Sequence, residues 1–116
     1  MQQKGLNAWL LQRLTALYLA AWTLVILAKF LLAPPASFAA WQAWVGTPLC
    51  ATGFLIAILA LLSHAWIGLH EILIDYLHDW RIRLTALTLF GLLLLGGGLW
   101  LARAVLSTTL VVQGGY

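Results

Sequence analysis

No charged residue interrupts positions 14–28, 30–70 or 84–102 of this 116-residue chain. Those uncharged, apolar stretches constrain the fold more than any other feature. An apolar helix of about 20 residues matches the ~30 Å hydrocarbon core of a bilayer. Inside that core every backbone N–H and C=O must find a partner within the protein, and a helix satisfies them along its own length. Charged residues make up 8% of the chain, against about 25% in soluble domains. The fold class expected is therefore an all-α membrane protein with three transmembrane helices. The length leaves no room for a soluble catalytic domain.

Proline and charge mark where the spans end. Span one is expected over about 14–33, with Lys29 close enough to its end for the long side chain to reach the interface. Pro34-Pro35 stops it, because proline has no N–H to donate and disfavours helix in the residue before it. The connection to Thr47 carries no charge but holds Phe38, Trp41 and Trp44. Tryptophan in such a place belongs at the headgroup level, and a short helix lying there is expected. Pro48, a good first-turn residue, opens span two, about 48–72, with helix continuing to about Tyr76. Span three covers about 84–104, and Gly96-Gly97-Gly98 within it would let a neighbouring helix approach closely. The polar tail from Ser107 is expected to end at the surface. The whole chain, 1–116, reads as one membrane-anchor domain.

The first apolar run is too long for a signal peptide's core of about 7–15 residues, and Lys29 interrupts it, so it is read as a retained helix. An Arg- and Ser-rich transit sequence is lacking, so a bacterial inner membrane fits best. Cys50 is the only cysteine, which rules out an intrachain disulfide or a cysteine metal cluster and leaves it a packing role. The net charge of +3 comes from residues scattered at span ends. That is no nucleic-acid patch; it reports topology. Lys4, Arg13, Arg81 and Arg83 fall on one side, Lys29 and Arg103 on the other. The side richer in basic residues is cytoplasmic, which puts the N-terminus and the loop between spans two and three there.

His64 stands apart as an ionisable, metal-competent side chain in the middle of lipid, which by default marks a functional site. At about 100° per residue, Gly68, Glu71 and Asp75 share its helix face, with Asp75 about 17 Å further along the axis. Tyr76 lies about 120° round, where fraying of the helix end could bring it onto the same face. Imidazole ligates haem iron well, and a glycine one turn away leaves room for a flat macrocycle. The other reading is a histidine hydrogen-bonded between helices. His70 and His78 lie near the expected boundary, so a six-coordinate haem would need its second ligand from another chain. Tyr76 and Asp75 could hydrogen-bond a quinone headgroup and relay protons to it, or be an ordinary interfacial tyrosine and surface aspartate. Arg13 could mark topology, or meet a haem propionate or the quinone edge. Glu71, Asp79, Arg81 and Arg83 are expected to form a solvated loop with local ion pairs. A proton relay through His64, Glu71 and Asp75, as in a small transport subunit, is a further alternative.

The run His64-Ala65-Trp66-Ile67-Gly68, followed by Asp75-Tyr76 at this spacing, resembles the second-helix signature of succinate dehydrogenase hydrophobic membrane anchor subunits. The resemblance extends to the three-span layout and to Trp9-Leu10-Leu11-Gln12-Arg13-Leu14-Thr15-Ala16 leading into span one. It implies partners: a flavoprotein, an iron–sulfur subunit and a second membrane anchor, the cytochrome b556 subunit. It implies that His64 is an axial ligand of haem b, with the other histidine from the second anchor. It further implies that Tyr76 hydrogen-bonds ubiquinone beside Asp75. Succinate oxidation would take place in the flavoprotein, so this chain alone would catalyse nothing. Menaquinone-using or fumarate-reducing relatives have similar anchors, and a structural anchor without haem is a further alternative.

Overall fold

Proline and capping side chains break the chain into four helices. The computed structural model describes residues 2–114, with side chains from Gly5 onward. The helices are α1 (Gln2–Leu32), α2 (Phe38–Val45), α3 (Pro48–Tyr76) and α4 (Trp80–Gly114), and no strand occurs among the described residues. α1, α3 and α4 are each long and apolar enough to cross a membrane. α1 closes as Ala33 N–H donates to the Lys29 carbonyl at 2.9 Å, just before the two prolines. Ser37 then takes an extended backbone and its hydroxyl accepts from Ala40 N–H at 3.1 Å, which starts α2. α2 is the short helix expected from the tryptophan-rich connection. Asp79 caps α4: its carboxylate accepts from Arg81 N–H at 3.0 Å and its carbonyl from Arg83 N–H. The carboxylate expected to sit in a solvated loop of ion pairs thus serves a helix N-terminus.

The helices outrun the spans expected within them. α1 already runs from Gln2, and α4 continues through the tail that was expected to end at the surface. Polar composition does not stop α4, because Ser107, Thr108 and Thr109 turn their hydroxyls back onto the carbonyls of Ala104, Val105 and Leu106. Charges mark where a membrane ends, which is not where a helix must end.

α3 is the central element. It packs against α1 on one side and α4 on the other, and α2 lies across the ends of α3 and α4. The molecule's long dimension of 53 Å is the length of α4, 35 residues at about 1.5 Å each. Along α1 the shielded positions are Ala8, Gln12, Thr15, Leu19, Trp22, Ile26 and Lys29, with Ala16 and Tyr18 beside them. Steps of three and four residues make this a coiled-coil-like seam. The leucines between them face outward. In lipid that inversion costs little, since an outward leucine loses nothing to a hydrocarbon solvent.

The α3–α4 seam is built differently. Gly98 sits against Leu62 so closely that a Cβ there would lie 2.5 Å from Leu62 Cδ1. Gly91 lies under the Trp66 ring, 3.3 Å from where its Cβ would be. Ala51, Ile58 and Val105 form the buried centre. Of the three consecutive glycines only Gly98 serves this approach; around Gly96 and Gly97 the space is open. At the α2 end, Trp41 packs on Phe30 and Trp44, and the Lys29 ammonium lies 5.6 Å over the Trp44 ring.

Candidate functional site

Because α3 is unbroken from Pro48 to Tyr76, His64, Gly68, Glu71 and Asp75 do share one face. Tyr76 does not join it by fraying. Leu77 N–H closes onto the Leu73 carbonyl at 2.9 Å, so the last turn stays wound. Tyr76 is held on the neighbouring face, 78% exposed, with Asp75 exposed beside it.

His64 is half-buried and turned toward α1. Its Nδ1 lies 3.2 Å from Thr15 Oγ1 and 3.3 Å from the Gln12 carbonyl oxygen. Thr15, 7% exposed, places its hydroxyl 2.8 Å from the Leu11 carbonyl and 3.0 Å from that of Gln12. The chemistry of the two partners favours one direction for the bonds. A carbonyl can only accept, so a bare lone pair on Nδ1 would face a second lone pair at Gln12. The consistent arrangement has Nδ1–H donating to Gln12 O and Thr15 Oγ1, while the threonine hydroxyl donates to its own helix. Nε2 takes no part in either contact. Metal-ligating histidines are commonly oriented in this way, with the other nitrogen held by a backbone carbonyl.

Gly68 also faces α1. A Cβ there would meet only Gln12 Nε2, at an ordinary 3.5 Å. Packing within this chain therefore does not require glycine at 68, in contrast to Gly98. Beside it, Gln12 Oε1 is buried without a hydrogen-bond partner. Two more contacts set the register of α1 on α3: Tyr18 OH donates to the Gly53 carbonyl at 2.7 Å, and the Trp22 ring occupies the space a Gly53 side chain would fill. Gln12 pairs with His64 and Trp22 with Gly53, so the helices run antiparallel.

That register separates two expected site residues. Arg13, next to Gln12, lies at the depth of His64, about 18 Å along the axis from the level of Tyr76. Its guanidinium is exposed and lies 5.4 Å over the Trp9 ring. The structure therefore brings together His64, Gln12, Thr15 and Gly68, with Arg13 beside them, and leaves Asp75 and Tyr76 as a second group at the helix end. Gln12 and Thr15 were missed by sequence reasoning. Their signal was there: polar side chains three apart in an apolar helix, in step with Ala8, Leu19 and Trp22. Among the described residues, no three His, Cys, Asp or Glu side chains gather into a metal cluster. A metal bound through His64 would need its remaining ligands from elsewhere.

The sequence model of the succinate dehydrogenase/fumarate reductase transmembrane subunits matches residues 1–95. The chain is a member of that family. A curated relative, the succinate dehydrogenase hydrophobic membrane anchor subunit of Coxiella burnetii (strain RSA 493 / Nine Mile phase I), is 35% identical over 98 residues. That alignment covers 84% of this chain and 85% of the relative. As a succinate dehydrogenase/fumarate reductase membrane anchor, the chain is a multi-pass membrane protein and one subunit of a larger complex. The family match takes in α1, α2, α3 and the first part of α4, including every residue of the His64 and Tyr76 groups.

Proposed function

We propose that this chain anchors a succinate:ubiquinone oxidoreductase in the bacterial inner membrane, supplying one axial ligand to haem b and part of the ubiquinone-reduction site. The observation that carries the haem assignment is the Nδ1 engagement of His64, which leaves Nε2 free in the interior of a span. The residues fit the group: a histidine held through Nδ1 by α1 and a glycine one turn away that packing does not require. Haem, when bound, supplies a one-electron carrier. His64 would hold it from one side only, and the second histidine would come from the second membrane anchor, the cytochrome b556 subunit. Arg13, level with His64, is assigned to a haem propionate in preference to the quinone, since a lone guanidinium at that depth needs an anionic partner.

Tyr76 and Asp75 then serve the quinone. Reduction of ubiquinone to quinol takes up two electrons and two protons. The electrons arise from succinate oxidation in the flavoprotein and arrive through the iron–sulfur subunit. The Tyr76 hydroxyl donates a hydrogen bond to a quinone carbonyl, and the Asp75 carboxylate takes protons from the cytoplasmic side and passes them on. In this reading the N-terminus and the α3–α4 turn face the cytoplasm, where the dehydrogenase head would dock. Menaquinone-linked fumarate reduction is the second reading, because the matching family includes both kinds of enzyme.

Tyr76→Phe tests the quinone assignment in the assembled complex. Loss of one hydrogen bond to the reacting headgroup should lower quinone reduction roughly tenfold. Subunit content and succinate oxidation with an artificial acceptor should be unchanged. Unaltered quinone reduction in a fully assembled variant would remove Tyr76 from the site.

A further inference from the structure

Between the ends of α3 and α4 lies a cavity of about 420 Å³ that neither the His64 group nor Tyr76 uses. It is lined by His70 and Ile74 from α3 and by Trp80, Arg83, Leu84 and Leu87 from α4. The spacings are four on one helix and three, four and seven on the other, so each helix lends a single stripe. His70 is about 240° round α3 from His64, which puts the cavity on a different side of the helix.

The lining is layered along the axis. Trp80 and Arg83 stand in the first turn of α4, at the level of the α3–α4 connection. Leu87 lies about 10 Å further in than Trp80, and His70 about 9 Å inward of Tyr76. Arg83 is half-buried, and among the described lining residues it alone is formally charged. The carboxylate nearest in sequence, Asp79, is engaged with Arg81 N–H, and the Arg81 guanidinium lies 5.5 Å over the Trp80 ring. The cavity thus combines a guanidinium and an indole at its mouth with a hydrocarbon floor and one imidazole. Its volume is within the ~300–1,000 Å³ of ordinary ligand sites.

We propose that this cavity binds an anionic phospholipid of the surrounding bilayer. A guanidinium matches a phosphate with paired hydrogen bonds. Basic pockets between transmembrane helices suit anionic headgroups, and tryptophan favours the same depth. Ile74, Leu84 and Leu87 give one acyl chain an apolar track, and the His70 ring can donate to an ester carbonyl above it. A soluble anion would gain nothing from that floor. The proposal stands on the α3–α4 cavity alone and does not depend on haem or quinone.

The test uses the intact complex, purified with all its subunits in mild detergent. Phosphatidylglycerol retained per complex is measured by mass spectrometry of extracted lipid. Thermal stability is compared after adding phosphatidylglycerol or phosphatidylcholine. The wild type should retain phosphatidylglycerol and be stabilised by it more than by phosphatidylcholine. Arg83→Gln should cut retention at least fivefold and abolish the difference between the two lipids, whereas Arg83→Lys keeps part of both. Leu87→Trp fills the cavity from its hydrocarbon end without changing charge and should have the same effect as Arg83→Gln. If Arg83→Gln does not assemble, Leu87→Trp decides. Wild-type retention in these variants, or equal stabilisation by both lipids, would overturn the proposal.

Discussion

The two seams that hold α3 are made of different chemistry. Toward α1 it is hydrogen-bonded: His64 to Gln12 and Thr15, and Tyr18 to the Gly53 carbonyl. Toward α4 its middle is dry, with Gly98 against Leu62 and Gly91 under Trp66. Both are ways to join helices where the hydrophobic effect gives no drive, since lipid is as apolar as leucine. The dry seam works by close approach and tolerates no added volume. The polar seam works by direction, and direction is what a cofactor ligand needs. The ligand candidate lies in the seam that can orient it, whereas the glycine-lined middle of the other seam carries packing only.

Substitutions that separate the seams should have separable consequences. The largest effect on stability is expected in the dry seam. Gly98→Leu drives a side chain into Leu62, and overpacking of this kind costs about 1–3 kcal/mol. The complex should melt earlier or assemble in lower yield, and whatever assembles should keep a wild-type haem spectrum. A changed spectrum would show that the dry seam also positions the cofactor.

The polar seam should behave in the opposite way. Thr15→Val keeps the shape and removes one acceptor from His64 Nδ1. Interhelical hydrogen bonds in membranes average about 0.6 kcal/mol, so thermal stability should barely move. The imidazole would then be held by the Gln12 carbonyl alone. The low-spin iron signal should shift and the haem midpoint potential should rise, because the ligand loses basicity. Thr15→Ser should restore both. An unchanged signal in Thr15→Val would reduce Thr15 to a packing residue.

The smallest effect is expected next to Gly98. At Gly96 and Gly97 an added Cβ meets nothing within 4 Å. Gly96→Ala should be neutral or slightly stabilising, within about 1 kcal/mol from helix propensity. A loss of assembly in Gly96→Ala would mean that a partner subunit packs on this outer face.

Much of this was legible in the sequence, and the limits have physical causes. Uncharged runs, Pro34-Pro35 and Pro48 mark three long helices, and Trp41 and Trp44 mark the short one, because bilayer thickness and missing proline donors act locally. The ends of α1 and α4 were not legible. Threonine and serine hydroxyls bond back to their own helix, so a polar tail such as Ser107–Thr109 stays helical. The shared face of His64 and Asp75 follows from helix geometry alone. Gln12 and Thr15 required the register of α1 against α3, which is set by distant contacts such as Tyr18 with Gly53. The same register placed Arg13 beside His64 and away from Tyr76. Gly96, Gly97 and Gly98 look equivalent in sequence, and only the crossing of α4 over Leu62 distinguishes them.

The most direct measurement is a reduced-minus-oxidised visible spectrum of the purified complex carrying His64→Ala, compared with wild type at matched subunit content. If His64 supplies an axial nitrogen to haem b, the b-type band is lost or strongly altered in the variant. A variant spectrum identical to that of wild type would contradict the assignment of His64 as the iron's ligand.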